Sequence, residues 1–460
     1  MNRDRPGVAV EALSLEHFRL RGLEHGRLTG VSIAVHAIAD AFLLMHCGVG
    51  CKHKATSQLS THDWGRGVVE REGWTEVGDA ELIAGAADRI GPYLRSWARR
   101  VEPGLMVVIS VTFLDLTGDD TKFVVQEEAP TVDPDVIYIE AAGHKGDLHL
   151  GYATALLELV RRMDWRAPPR RPRAVGIVGY LFDRYEGDHA GNLRQLQRLL
   201  ADTGLEAGPV MLSGVPWADV QAIAECGLIV QLPYMGPRAK GLRRALRSRR
   251  PVIDTMLPIG LRGSTRWMQA VAKGAGADVR RATLKAAARA RSVEVRLGPF
   301  AARLKGLKVA VFADLPLLAG LLSLLDELGV HVVVAGIRGH SFGGRAELET
   351  AVTAYGAPGL DEIEVLEDPS LQLGTTTIAT HIGHLDGVLA SSAEINALAT
   401  LGQEALHRAG RGPFVVEVGF PCKRYHAVSN QPAYGFLGVF TWAQRLLDAP
   451  RLWDSGLDAG

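Results

Sequence analysis

Two cysteines in one glycine-rich turn are the first residues that could do chemistry. The segment reads Met45-His46-Cys47-Gly48-Val49-Gly50-Cys51-Lys52-His53, after an apolar run and before a polar one. Thiolates are soft ligands that suit iron–sulfur clusters and zinc. Gly48 and Gly50 give access to φ > 0 and let the backbone approach a bulky ligand. By spacing alone, C-x3-C is neither a zinc ribbon nor a ferredoxin run. It reads as a metal site or as a packed turn with a buried thiol. Cys226 lies in the mostly apolar stretch 222–232 and reads as a core residue. Cys422 lies close to His426; the two could build a second site or pack in a C-terminal loop. So large a chain with so few cysteines is not a disulfide framework.

Other candidates are less pointed. His381-x-x-His384 with Asp386 could present two imidazoles, but Gly383 and Gly387 favour a loop after a strand over a helix. Arg262 and Arg266 flank Ser264-Thr265 at an expected helix start. Free N–H groups and the helix dipole favour an anion there; otherwise the arginines are solvated. Asp119 and Asp120 read as caps. The sequence has no G-x-x-x-x-G-K-[ST] and no G-x-G-x-x-G after a strand, so this chain is expected to bind no nucleotide through either motif.

The elements that must position these residues alternate. Strands are expected at 105–111, 135–139, 173–180, 228–232, 307–312 and 330–335. Helices are expected at 148–163, 192–202 and 317–328, and the basic stretch 280–303 favours an interdomain helix. Strands alternating with such helices indicate βαβ units and parallel sheets. Ligands then belong beyond the strands' C-terminal ends, here in the loops 112–120, 182–188 and 313–315. At 460 residues the chain exceeds one core. Lys+Arg and Asp+Glu are both 51, which argues against a nucleic-acid footprint. No apolar run is long enough for a bilayer, and 1–10 lacks a signal core, so a cytoplasmic protein with no membrane partner is expected.

Several segments carry a family resemblance. His46-Cys47-Gly48-Val49-Gly50-Cys51 is similar to the H-G-P-x-G-C segment of nitrogenase component 1 subunits. The stretch 112–120 resembles that family's C-x-x-E-x-x-G-D-D, and 258–265 its P-x-G-x-x-x-T, with Ser264 at the threonine. Glu327-Leu328-Gly329 resembles the turn after a strand–loop–helix. Gly419-Phe420-Pro421, with Tyr434-Gly435-Phe436-Leu437-Gly438 downstream, resembles the G-F-P … G-Y-x-G ending of β-type subunits.

The resemblance implies an α/β fold of three Rossmann-like domains, with parallel sheets flanked by helices. The first is 1–165, completed by 413–460; the second is 166–300; the third is 301–412. In that family the last cysteine of the first motif ligates a cluster shared between homologous subunits, a role that falls on Cys51. Cys47 stands at the family's glycine and Gly48 at its proline, so Cys47 inherits none. The other two cluster cysteines fall near His25 and on Thr112, neither a thiol, although histidine can ligate iron.

This pattern looks like the light-independent protochlorophyllide and chlorophyllide reductases, or the nitrogenase cofactor-assembly subunits. It implies a minor ligand donor to a [4Fe–4S] cluster. His426 precedes Gly435 much as a cofactor-binding histidine does in α-type subunits, so a second metallocluster is a further expectation. The partners implied are a homologous α-type subunit in an α2β2 heterotetramer, a dimeric ATP-binding iron protein and a small-molecule substrate. The leading expectation is a reductase subunit. A cofactor-assembly scaffold and a cluster-free structural partner are the alternatives.

Overall fold

The computed structural model describes residues 25–53, 71–112, 114, 118, 120–165, 168–181, 188–246, 249–401, 412–422 and 429–452. Among these, three parallel sheets form. The first contains β1 (Ala41–His46), β2 (Glu72–Trp74), β3 (Leu105–Ser110) and β4 (Asp135–Glu140), in the order β2-β1-β3-β4. Every residue of β1 and β3 is buried, with Phe42 opposite Met106 and Leu44 opposite Val108. Continuous apolar runs are what a parallel sheet covered on both faces requires.

The second sheet contains β5 (Arg171–Val178), β6 (Glu206–Val210), β7 (Cys226–Gln231) and β8 (Val252–Asp254), ordered β6-β5-β7-β8. The third contains β9 (Lys308–Ala313), β10 (His331–Ile337), β11 (Glu364–Glu367), β12 (Gly387–Ala390) and β13 (Phe414–Glu417), ordered β11-β10-β9-β12-β13. All pairings within the sheets are parallel. Each order reverses direction once, between β1 and β3, β5 and β7, and β9 and β12. Such reversals open a crevice at the strands' C-terminal ends.

The helices that matter below are α1 (Arg27–His36), α2 (Leu148–Arg162), α3 (His189–Thr203), α4 (Ala239–Leu246), α5 (Gly260–Gly274), α6 (Val279–Leu304), α7 (Leu315–Glu327) and α8 (Gly435–Asp448). A Cβ added at Gly30 of α1 would run into the carbonyl oxygen of Leu148. One added at Gly151 of α2 would run into that of Arg27. These two glycines let α1 and α2 pack backbone to backbone. Arg27 N donates to Gly146 O at 3.1 Å, and Gly26 bridges Asp147. Among the described residues no helix is long and apolar enough to cross a membrane.

The expected strands and helices form, with small shifts at their ends. Two readings change. The segment from 413 does not complete the first sheet. Phe414–Glu417 pairs with β12 in the third sheet, and α8 packs against α5, α6 and α3. His381 is not in a loop after a strand: it ends the helix Leu371–His381, and its Nε2 meets Glu364 Oε2 at 2.8 Å. Ser370 caps that helix at Leu373 N, and the glycines fall beyond its end.

Candidate functional site

A concavity of about 700 Å³ lies at the third sheet's reversal. It is built by loops that follow parallel strands. β9 supplies Ala313 and Asp314, β10 supplies Arg338 to His340, and β11 supplies Asp368 to Ser370. β12 supplies Ser391 and Glu394, and β13 supplies Val418 to Pro421. The first sheet adds Gly143 and Gly146 to His149, and His25 and Gly26 enter ahead of α1. No cysteine lines it among the described residues.

Its polar side chains are held by the fold. Asp147 caps α2, accepting from Leu150 N at 2.9 Å, and also accepts from Ser341 N at 2.9 Å. Burial works against its charge, but facing His149 and the bonds from Ser341 and Leu150 hold its carboxyl below the usual range. Asp314 caps α7 at Leu317 N, 3.2 Å away, and accepts from Tyr234 Oη at 3.0 Å. Burial pushes its carboxyl up to about 7, against the bond from Leu317. Thus one carboxylate of the wall is fixed as an anion while the other titrates near neutrality. The His149 ring lies 5.0 Å from that of Phe342. Arg338 Nε sits 2.9 Å from Glu394 Oε1, and His340 Nδ1 lies 3.5 Å from Asp368 Oδ2.

The cysteine turn stands at the first sheet's reversal, directly after β1. Thr75 Oγ1 accepts from Cys47 N at 3.3 Å and hydrogen-bonds His46 Nδ1 at 2.9 Å. Val77 N donates to Cys47 O at 3.1 Å. Cys47 is buried in the main core, and burial pushes its thiol up to about 12. Cys51 is half-buried at the core's margin. Beside it Val49 is 71% exposed, and a Cβ at Gly50 would meet nothing within 4 Å. Gly48 is tighter, with Val77 O at 3.0 Å from such a Cβ. A thiol with open space beside it fits one ligand of an iron–sulfur cluster. Among the described residues no group of three or more His, Cys, Asp or Glu side chains is placed to hold a metal ion.

The remaining candidates separate. His25 lines the cavity, its ring 4.8 Å edge-on from Phe420. Thr112 accepts from Gly143 N at 2.8 Å and so braces a cavity loop. Cys422 is buried, its Sγ donating to Glu417 Oε2 at 3.1 Å, and burial raises its pKa well above the usual thiol value. His426 lies outside the described residues.

The anion site expected at Arg262–Arg266 is filled by the protein itself. Glu327 accepts from Leu261 N at 2.7 Å and Arg262 N at 2.8 Å, and Arg262 pairs with Asp326 at 2.7 Å. Asp120 caps the helix Thr121–Glu128, and Asp188 forms a buried pair with Arg445. Of the loops singled out from the sequence, 313–315 does line the cavity. The loops after β4 and β10 were missed, although the same rule about strand ends points to them.

Comparison with known proteins places this geometry. The sequence matches the family model described as Nitrogenase component 1 type Oxidoreductase over residues 27–449. It is 24% identical over 326 residues to the nitrogenase iron-molybdenum cofactor biosynthesis protein NifE of Klebsiella pneumoniae, covering 67% of this chain and 69% of that protein. It is 20% identical over 331 residues to the protein of the same name from Nostoc sp., covering 71% and 68%. The fold matches a structure titled "Nitrogenase Cp1 at pH 6.5" with a TM-score of 0.73, 15% identity and 93% coverage of each chain. It matches "Nitrogenase Cp1 at pH 5" with a TM-score of 0.69, 14% identity and coverages of 97% and 90%.

Proposed function

Because the chain belongs to the nitrogenase component 1 type oxidoreductase family, we propose that it is a scaffold subunit for assembly of a nitrogenase-type metallocluster. The observation that carries this reading is the cavity of about 700 Å³, lined by oxygen and nitrogen donors with no thiol among the described lining residues. Hydrogen bonds and paired charges from Arg338, His149 and His340 can hold a cluster as cargo. A thiolate would fix iron strongly, and cargo must leave. The named biosynthesis relatives support the same reading.

Cys51 would give one thiolate to a [4Fe–4S] cluster completed by a homologous subunit, with Cys47 kept neutral in the core. Bound there, that cluster would relay electrons delivered by a dimeric ATP-binding iron protein. Cys51 on its surface turn presents the donor, and the protein around it sets burial and hydrogen bonding to sulfur.

A reductase role is the second reading, and Asp314 favours it. Reduction consumes protons, and a carboxyl held near 7 in the cavity wall can deliver them. The test is transfer. Purified anaerobically with its partner subunit, the protein is expected to pass iron and sulfide to an apo nitrogenase-type enzyme, with no small-molecule turnover when the iron protein and ATP are supplied. Sustained turnover without any transfer would overturn the scaffold reading in favour of the reductase.

A further inference from the structure

Positive charge concentrates on a segment that belongs to neither the cavity lining nor the cysteine turn. Arg238, Lys240, Arg243, Arg244, Arg247, Arg249 and Arg250 fall within 238–250, and no Asp or Glu occurs from Cys226 to Ile253. In a chain whose formal charge is zero, this is a local excess. Helix α4 turns Lys240, Arg243 and Arg244 onto one exposed face, since residues three and four apart are neighbours. With Arg250, Pro251 and Val252 they line a hollow of about 460 Å³.

Ordinary roles explain part of this. Arg243 and Arg244 occupy the last turn of α4, where the helix dipole favours cations by about 0.3–1 kcal/mol each. Arg243 also pairs with Asp254. The dipole disfavours Lys240 in the first turn, and Lys240 and Arg244 are like charges at i,i+4, which repel. Among the described residues no carboxylate pairs with either. Arg250 is 3% exposed. Its guanidinium is fixed by the main-chain carbonyls of Cys226, Ala224 and Arg249 and lies 5.8 Å from the Trp165 ring centroid. Arg250 thus adds a fixed positive charge to the wall of the hollow, while the exposed Lys240 and the planar fork of the exposed Arg244 are the groups that can reach phosphate oxygens.

We propose that this hollow binds an oligophosphate group, with Lys240 and Arg244 as the adjustable charges and Arg250 as the fixed one. A concave wall this small suits a compact polyanion better than a nucleic-acid strand, which needs an extended groove with stacking aromatics.

The experiment titrates sodium tripolyphosphate into the full-length protein by calorimetry at physiological ionic strength. Saturable one-to-one binding is expected. The double variant Lys240→Glu/Arg244→Glu should weaken it by at least about tenfold, since two charge-assisted bonds are lost. The matched variant Arg280→Glu/Lys285→Glu makes the same charge change on α6, where both residues are also exposed, and should leave the affinity unchanged. ATP binding at least as well as tripolyphosphate supports the proposal, with the phosphate chain as the shared element. No saturable binding overturns it, as does an equal loss in both double variants, which would mark diffuse attraction. A single-stranded oligonucleotide that displaces tripolyphosphate, with affinity rising with its length, overturns it in favour of nucleic acid.

Discussion

The turn after β1 and the loop after β9 stand at equivalent places, each at the C-terminal end of a strand where its sheet's order reverses. They are built for different chemistry. At β9 the loops of the third sheet face Gly143 and Gly146 to His149 from the first, and a wall of carboxylates, imidazoles and a guanidinium results. At β1 no such wall is contributed by the described residues. A half-buried thiol, an exposed valine and an open glycine face outward. The same topological position carries a lined cavity in the third sheet and, among the described residues, an open turn in the first. Under the proposed function, the comparison separates what this chain would do alone from what it would do with a homologous subunit.

The largest effect should come from the cysteine turn. In the complex with its partner, the role proposed for Cys51 predicts that Cys51→Ser abolishes the iron–sulfur spectrum of a shared cluster. Cys47→Ala should keep the spectrum and lower stability by about 1 kcal/mol, as a modest core truncation does. Anaerobic iron counts with electron paramagnetic resonance read both. If Cys47→Ala alone removes the signal, the buried thiol is the ligand and the comparison fails at its outer half.

The cavity makes a pH prediction. Burial raises the Asp314 carboxyl to about 7, whereas in the unfolded chain it titrates at about 3.9. The folded state therefore keeps a proton that the unfolded state releases. Stability from this group is fully present below about pH 4, is lost as pH rises through about 7, and is flat above. The whole loss is on the order of 4 kcal/mol at about 1.36 kcal/mol per pH unit. Asp314→Asn retains an oxygen to accept from Leu317 N and Tyr234 Oη but cannot ionise. Its denaturation midpoint should fall much less between pH 5 and 8 than that of the unsubstituted protein. Equal falls would show that the wall is wetter than its geometry states.

The joint between the two regions should be next. Gly30→Ala pushes a methyl group into the Leu148 carbonyl where α1 meets α2. Overpacking of this kind costs typically 1–3 kcal/mol. Displacing α1 would carry His25 away from Phe420 in the cavity wall, while Cys51 follows the C-terminal end of β1, the end away from α1. A melting temperature lowered together with weaker cargo retention, at an unchanged cluster spectrum, is the expected pattern.

These effects also show what the sequence could convey. The strands β3, β4, β5, β7, β9 and β10 were legible because buried parallel strands are continuous apolar runs. β1 was not, because the run 31–45 contains both α1 and β1, and periodicity cannot divide two buried elements of opposite type. The C-terminal segment 413–460 was expected to complete the first domain; pairing partners leave no mark in a four-residue strand, and only the register of Phe414–Glu417 against β12 puts that strand in the third sheet. Cys51 stood out by residue type, and the donor role proposed for it is what the family resemblance implies. Asp147, His149, Arg338 and Glu394 gave no signal, since they are ordinary residues brought to one cavity wall by loops that meet from 194 positions apart, as Ser341 and Asp147 do.

The smallest effect tests the boundary between the regions most sharply. Thr112 stands at the end of β3, next to the cysteine turn's strand, yet its Oγ1 reaches away to accept from Gly143 N at 2.8 Å, in the cavity wall. Thr112→Val keeps the shape and deletes the acceptor. The Gly143 N–H then lacks that partner, at a cost of about 1 kcal/mol. If Thr112 serves the cavity, the variant should bind cargo more weakly by a few-fold, and the iron–sulfur spectrum at Cys51 should be untouched. If Thr112 instead contributes to the cluster, the spectrum should shift while cargo binding holds. One substitution thus assigns the third position of the family's cysteine pattern to the wall of the cavity or to the edge of the shared site.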